Sequence, residues 1–68
     1  MAGFKQGERV RWNTPQGETQ GHIVERRTRR FQLAKQVFRA SETQPFYIVE
    51  SEKSGKRAAH REEALRRA

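Results

Sequence analysis

Phe46-Tyr47-Ile48-Val49-Glu50-Ser51 is the stretch on which the fold turns. Two aromatic and two β-branched residues stand side by side in it, the types that fit a pleated, half-buried surface. Pro45 precedes the run and Lys53-Ser54-Gly55 follows it. Proline and glycine preset the backbone angles that turns require, so both flanks read as breaks. Residues 46–51 are therefore a β-strand, Lys53-Ser54-Gly55 a hairpin turn, and Lys56-Arg57-Ala58-Ala59-His60 the returning strand.

The same pattern holds upstream. In Glu8-Arg9-Val10-Arg11-Trp12, Val10 and Trp12 share one face and Arg9 and Arg11 the other, as in a half-buried strand. Asn13-Thr14-Pro15-Gln16-Gly17 is turn chemistry, and a second strand is expected from about Glu18 to Arg27, with Gly21 marking a bend or bulge. Arg26-Arg27-Thr28-Arg29-Arg30 reads as the exposed end of that strand and a loop. Residues 31–40 alternate without a purely apolar face, and Leu33, Val37 and Phe38 also permit a helix. We read them as a loop from Phe31 into a strand near 36–40. Residues 41–45 form a turn, and Arg61-Glu62-Glu63-Ala64-Leu65 one helical turn that lays Leu65 over the end of the fold. Five short strands joined by tight turns favour closure, which removes exposed edges. The expectation is one all-β domain spanning residues 1–68, a small five-stranded SH3-like barrel with a short C-terminal helical turn.

Fourteen residues are available for its core: Phe4, Val10, Trp12, Ile23, Val24, Phe31, Leu33, Val37, Phe38, Phe46, Tyr47, Ile48, Val49 and Leu65. So few leave little room for a deep enclosed pocket beside the core. The chain has no cysteine, so no disulfide staples it and no thiolate holds a metal. The first seven residues lack the apolar segment of a signal peptide, and no apolar run exceeds the four residues 46–49. We expect a cytoplasmic protein with no membrane span.

Catalysis lacks a constellation. There is no Asp or Cys, and His22 and His60 are far apart in the chain, with nothing placing a nucleophile beside an oriented base. Two isolated histidines do not make a zinc site. Ser54-Gly55-Lys56 fails as a phosphate loop, because Glu50 stands where the leading glycine belongs and Arg57 where Ser or Thr belongs. We expect a non-catalytic binding module without metal or cofactor.

Charge points to the ligand. The net charge is +7, and residues 25–40 carry +5 of it, from Arg26, Arg27, Arg29, Arg30, Lys35 and Arg39 against Glu25 alone. Guanidinium groups match phosphate bidentately, and a field of this sign draws polyanions before specific contacts form. These six cations are the candidate DNA- or RNA-binding set, with Phe31 and either Phe38 or Phe46 as stacking surfaces for bases. The competing reading is a solvated loop with Phe31 tucked into the core.

Phe4-x-x-Gly7-x-x-Val10-x-Trp12, Gly21-x-Ile23, Ala40-Ser41-x-x-x-Pro45-x-Tyr47-x-Val49-x-Ser51 and Gly55-Lys56-x-Ala58-Ala59-His60-x-x-x-Ala64-Leu65 together run nearly the whole chain. This pattern resembles the hypervirulence-associated Tudor-domain family, short proteins without a settled biochemical activity. The resemblance implies a Tudor-like barrel. Two features depart from it: Arg61-Glu62 stands where the family has a basic residue followed by proline, and residues 26–35 are richer in arginine and apolar residues than the usual connector. It also raises a second function, a peptide- or protein-binding adaptor that reads a methylated Lys or Arg in an aromatic cage. Trp12 and Tyr47 would be its walls and Glu50 or Glu18 its acid, unless both rings belong to the core. Phe46 and Ile48, outward if Tyr47 and Val49 point inward, would form an apolar partner surface unless the terminal turn or residues 31–35 cover them.

Overall fold

The computed structural model describes residues 3–68. Met1 and Ala2, the start of the expected 1–68 domain, lie outside the described residues. The alternations produce seven strands: β1 (Arg9–Thr14), β2 (Gly17–Arg27), β3 (Phe31–Leu33), β4 (Gln36–Phe38), β5 (Phe46–Ser51), β6 (Arg57–Arg61) and β7 (Arg66–Arg67). One 3₁₀ turn, Glu62–Ala64, separates the last two. None of the described residues forms a helix long and apolar enough to cross a membrane.

Five strands make one antiparallel sheet in the order β6-β5-β2-β1-β7, and β3 pairs with β4 alone. Val10 and Trp12 of β1, Ile23 of β2, Tyr47 and Val49 of β5, and Leu65 form the core on one face of the main sheet. Phe4 and Ala58 pack at its margin. Leu65, carried back by the 3₁₀ turn, closes the end of this core as expected. The sheet curls enough to bring Trp12 of β1 within 5.8 Å of His60 of β6, ring centroid to ring centroid.

The all-β expectation holds, with two corrections. The main sheet is not hydrogen-bonded into a closed barrel: β6 and β7 remain its edges. The turn at Glu62–Ala64 follows β6 directly, and β7 pairs only through Val10 with Arg67 and Arg11 with Arg66, too short to complete the ladder. In residues 31–40 the strand expected near 36–40 is present as β4, but the stretch before it is a strand and not a loop or helix, so the two make a hairpin, with Phe31 opposite Phe38 and Leu33 opposite Gln36. Cross-strand partners share a face, so the apolar residues that looked scattered along the chain meet across the pair.

The expected irregularity in β2 also moves. The register shifts between Ile23 and Glu25, so the bulge falls at Val24. Gly21 instead marks a close approach of two backbones, since a Cβ there would overlap the Glu50 carbonyl oxygen and lie 2.8 Å from its carbon.

The β3–β4 turn is built from Ala34 and Lys35, both at positive φ, 52° and 66°. A two-residue hairpin turn with both residues left-handed normally takes Asn-Gly, because a Cβ crowds the following carbonyl there. Replacing Ala34→Asn and Lys35→Gly together should stabilise the fold by about 1 kcal/mol. Urea denaturation measures it, and an unchanged or lower midpoint would contradict the strain.

Candidate nucleic-acid interface

The bulge at Val24 decides where the arginines point. An extra residue in one strand reverses the alternation beyond it. Past the shift, Arg26 lies opposite Tyr47 and Arg27 opposite Phe46. Arg26 therefore projects on the core side of the sheet and Arg27 on the far side. The sequence cluster is split across two faces.

On the far side a second apolar layer forms. The β3–β4 hairpin folds over the sheet so that three rings pack: Phe31 on Phe38 stacked at 5.2 Å, Phe38 against Phe46 edge-on at 5.1 Å, and Phe31 against Phe46 edge-on at 6.0 Å. Ile48 is buried on this same face. Two guanidinium groups flank the layer. Arg27 sits 5.4 Å from the Phe31 ring centre and Arg61 4.1 Å from that of Phe46. Arg61 also donates to the carbonyls of Gln44 at 2.7 Å and Arg39 at 3.4 Å, tying residues 39–45 to the sheet. The sequence places Arg61 in the terminal turn and as a departure from a family pattern, whereas it is the last residue of β6. Its position opposite Phe46 across β5–β6 is the signal that explains it.

The remaining cations of the set lie at the rim of this layer. Arg29 and Arg30 occupy the exposed connection into β3, Lys35 the hairpin tip, and Arg39 the segment leaving β4. Elsewhere carboxylates offset the arginines: Arg9 with Glu52 at 2.9 Å, Arg57 with Glu50 at 3.3 Å, Arg66 with Glu18 at 3.2 Å, and Arg67 with Glu8. Within 25–40 only Arg27 has an acid, Glu25 at 2.9 Å. Among the described residues Arg26, Arg29, Arg30, Lys35 and Arg39 have no carboxylate partner. Lys5, Arg11, Lys53, Lys56 and Arg61 likewise have no carboxylate partner but are scattered through the sequence. Phe31, 8% exposed, and Phe46, under Arg61, offer little face to an incoming base.

A family model described as the hypervirulence associated proteins TUDOR domain matches residues 7–65. The chain belongs to this family. No curated protein and no solved structure matches it. The matched span of the Tudor domain contains every strand except β7, so the β3–β4 hairpin lies inside it.

The Tudor resemblance suggested a cage between Trp12 and Tyr47, and the structure does not bring the two rings together. Trp12, 3% exposed, meets His60. Tyr47, 1% exposed, meets Phe4 edge-on at 5.6 Å, and its hydroxyl accepts the Phe4 N–H at 3.3 Å. Glu50 and Glu18 are engaged by Arg57 and Arg66. A cleft of about 280 Å³ does open beside Trp12, between the β1–β2 and β5–β6 turns. Lys53, Lys56 and Arg57 line it, against Glu18 alone. Such a lining repels a methylated lysine or arginine.

Burial lowers the pKa of His60 below its ordinary value. The folded Tudor domain thus holds this proton less tightly than the unfolded chain, and protonation drives unfolding. Stability is greatest above the ordinary imidazole value of about 6.5 and is lost as pH falls from there towards the lowered folded value. Thermal melts between pH 7.5 and 5.5 should show a falling midpoint, and His60→Asn should flatten that dependence. An equally steep profile in the variant would assign the effect to other groups.

Proposed function

We propose that this Tudor domain binds nucleic acid through the phosphate backbone. The observation that carries the reading is a rim of unpaired cations, Arg29, Arg30, Lys35 and Arg39, gathered around one hairpin while most other arginines are offset by glutamate. Arg26, on the opposite side of the sheet, is secondary. Because the phenylalanines are packed against one another, recognition rests on charge and shape rather than on stacked bases.

Fluorescence anisotropy tests it. Four phosphate contacts release counterions with a slope of log K against log salt of about −3.6. Arg29→Ala with Arg30→Ala should make that slope shallower by about 2, with no change in melting temperature, since both side chains are exposed. A salt-independent affinity, or no binding at low salt, would remove the reading.

A protein-binding adaptor is the second reading, favoured by the cleft beside Trp12. Its lysines and Arg57 suit an acidic peptide. In that case shifts on titration would centre on Lys53, Lys56 and Ala58, and changes at Arg29 and Arg30 would have no effect.

A further inference from the structure

We propose that the β3–β4 hairpin is a two-stranded ribbon that enters the major groove of B-form duplex DNA, with Gln32 and Val37 facing the base edges. This rests on the phosphate-binding reading and names its substrate.

The hairpin has two faces of different chemistry. Phe31 and Phe38 are directed at the sheet, where they meet Phe46. Gln32 and Val37 are directly opposite one another and take the other face, where both are exposed. Val37 is 54% exposed and is the one large apolar side chain left open to solvent among the described residues. The other large apolar side chains among the described residues are buried or partly buried, with Ile48, Val49, Ile23 and Leu65 all 5% exposed or less. An outward valine paired with a glutamine is therefore a particular feature of this face.

Those two side chains fit base readout. A glutamine amide can donate and accept in a bidentate pair with adenine N6 and N7, and an apolar side chain can cover the thymine methyl group. Neither carries a charge for a phosphate, and Val37 offers it no hydrogen bond. The cations that do are placed around them: Arg29 and Arg30 lead into β3, Arg39 leaves β4, and Lys35 occupies the tip. Charge for the backbone surrounds a neutral centre for the bases.

Dimensions select the duplex. Paired strands lie about 4.8 Å apart, and a two-stranded ribbon with its side chains fits a B-form major groove about 12 Å wide. The A-form groove of duplex RNA is too deep and narrow for side chains to read. The phenylalanine layer behind the ribbon, flanked by Arg27 and Arg61, holds its flat face outward.

The tip supplies an independent observation. Lys35 sits at φ 66°, where glycine would be comfortable. Lysine in place of glycine sets a cation at the hairpin tip, where a phosphate contact would use it.

The experiment is anisotropy with short A·T-rich and G·C-rich DNA duplexes and an RNA duplex of the A·T-rich sequence. We expect the A·T-rich DNA to bind about tenfold more tightly than the other two. Gln32→Ala should lose about tenfold on that duplex and abolish the preference, at an unchanged melting temperature. Val37→Glu should weaken every DNA duplex. Lys35→Gly should melt higher and bind more weakly, separating the binding role from folding. Equal affinity for DNA and RNA duplexes, or unaltered binding by both Gln32→Ala and Val37→Glu, would overturn the groove model. If Arg29→Ala with Arg30→Ala still weakened binding in that case, the phosphate reading would stand alone. No binding to any duplex at low salt would end both.

Discussion

Gly21→Ala should remove more than half of the stability of the protein. Gly21 pairs with Val10 on one side and Ser51 on the other, at the centre of the main sheet. A single added methyl group would overlap the Glu50 carbonyl oxygen and stand 2.8 Å from the Glu50 carbonyl carbon and 3.0 Å from the Ser51 Cα. All three obstacles are main-chain atoms, so no rotamer change relieves them. The strands would have to separate, breaking the β2–β5 ladder that positions Ile23 against Val49. Overpacking at a rigid site costs about 3 kcal/mol at the upper end of its usual range. A small domain has roughly 5 kcal/mol in total. Circular dichroism melts and a proton–nitrogen correlation spectrum would show the loss. A variant with wild-type dispersion and melting temperature would mean that the two backbones are further apart than described.

Trp12→Ala should be at least as damaging, for a different reason. The indole is 3% exposed and belongs to the one cluster that joins β1, β2, β5 and Leu65. Its removal leaves a cavity that neighbouring strands cannot collapse to fill, at a cost of about 3–5 kcal/mol. It also uncovers His60, its partner ring at 5.8 Å, so the acid sensitivity of the fold should fall in the residual folded fraction. The consequence for function is practical. A binding defect in Trp12→Ala would report unfolding, whereas Trp12→Phe retains an aromatic ring in the core and separates the two. If Trp12→Ala melted within a few degrees of wild type, the indole would have to be a surface group, and a ligand-binding role for it would return.

Features that depend only on local alternation are legible in the sequence. Val10 and Trp12 on one side of β1, the run 46–51, the turn around Pro15-Gly17 and the return of Leu65 all follow from neighbours in the chain. The hairpin was harder, because Phe31 and Phe38 combine only after the chain reverses and no glycine marks the reversal at Ala34-Lys35. The bulge at Val24 has no marker either, being neither Gly nor Pro, and the nearest glycine, Gly21, lies three residues before it. That displacement matters for the site. The cations could be named from the sequence, but their division between two faces depends on register. For the aromatic candidates the sequence offers both a ligand surface and a core, and burial decides between them: Trp12 and Tyr47 are core, and Phe31 and Phe46 serve a second layer. Arg61, which caps that layer, is visible only once β5 and β6 are aligned.

A sheet with apolar packing on both sides divides the labour of the chain. The residues that hold the scaffold together, Val10, Trp12, Gly21, Ile23, Tyr47, Val49 and Leu65, are separate in sequence and in space from Gln32, Lys35 and Val37. The outward positions of the β3–β4 hairpin can therefore be rewritten without disturbing the fold, so long as three phenylalanines keep it docked. Such a molecule is a platform on which new recognition can evolve, or be engineered, by exchanging a few hairpin side chains.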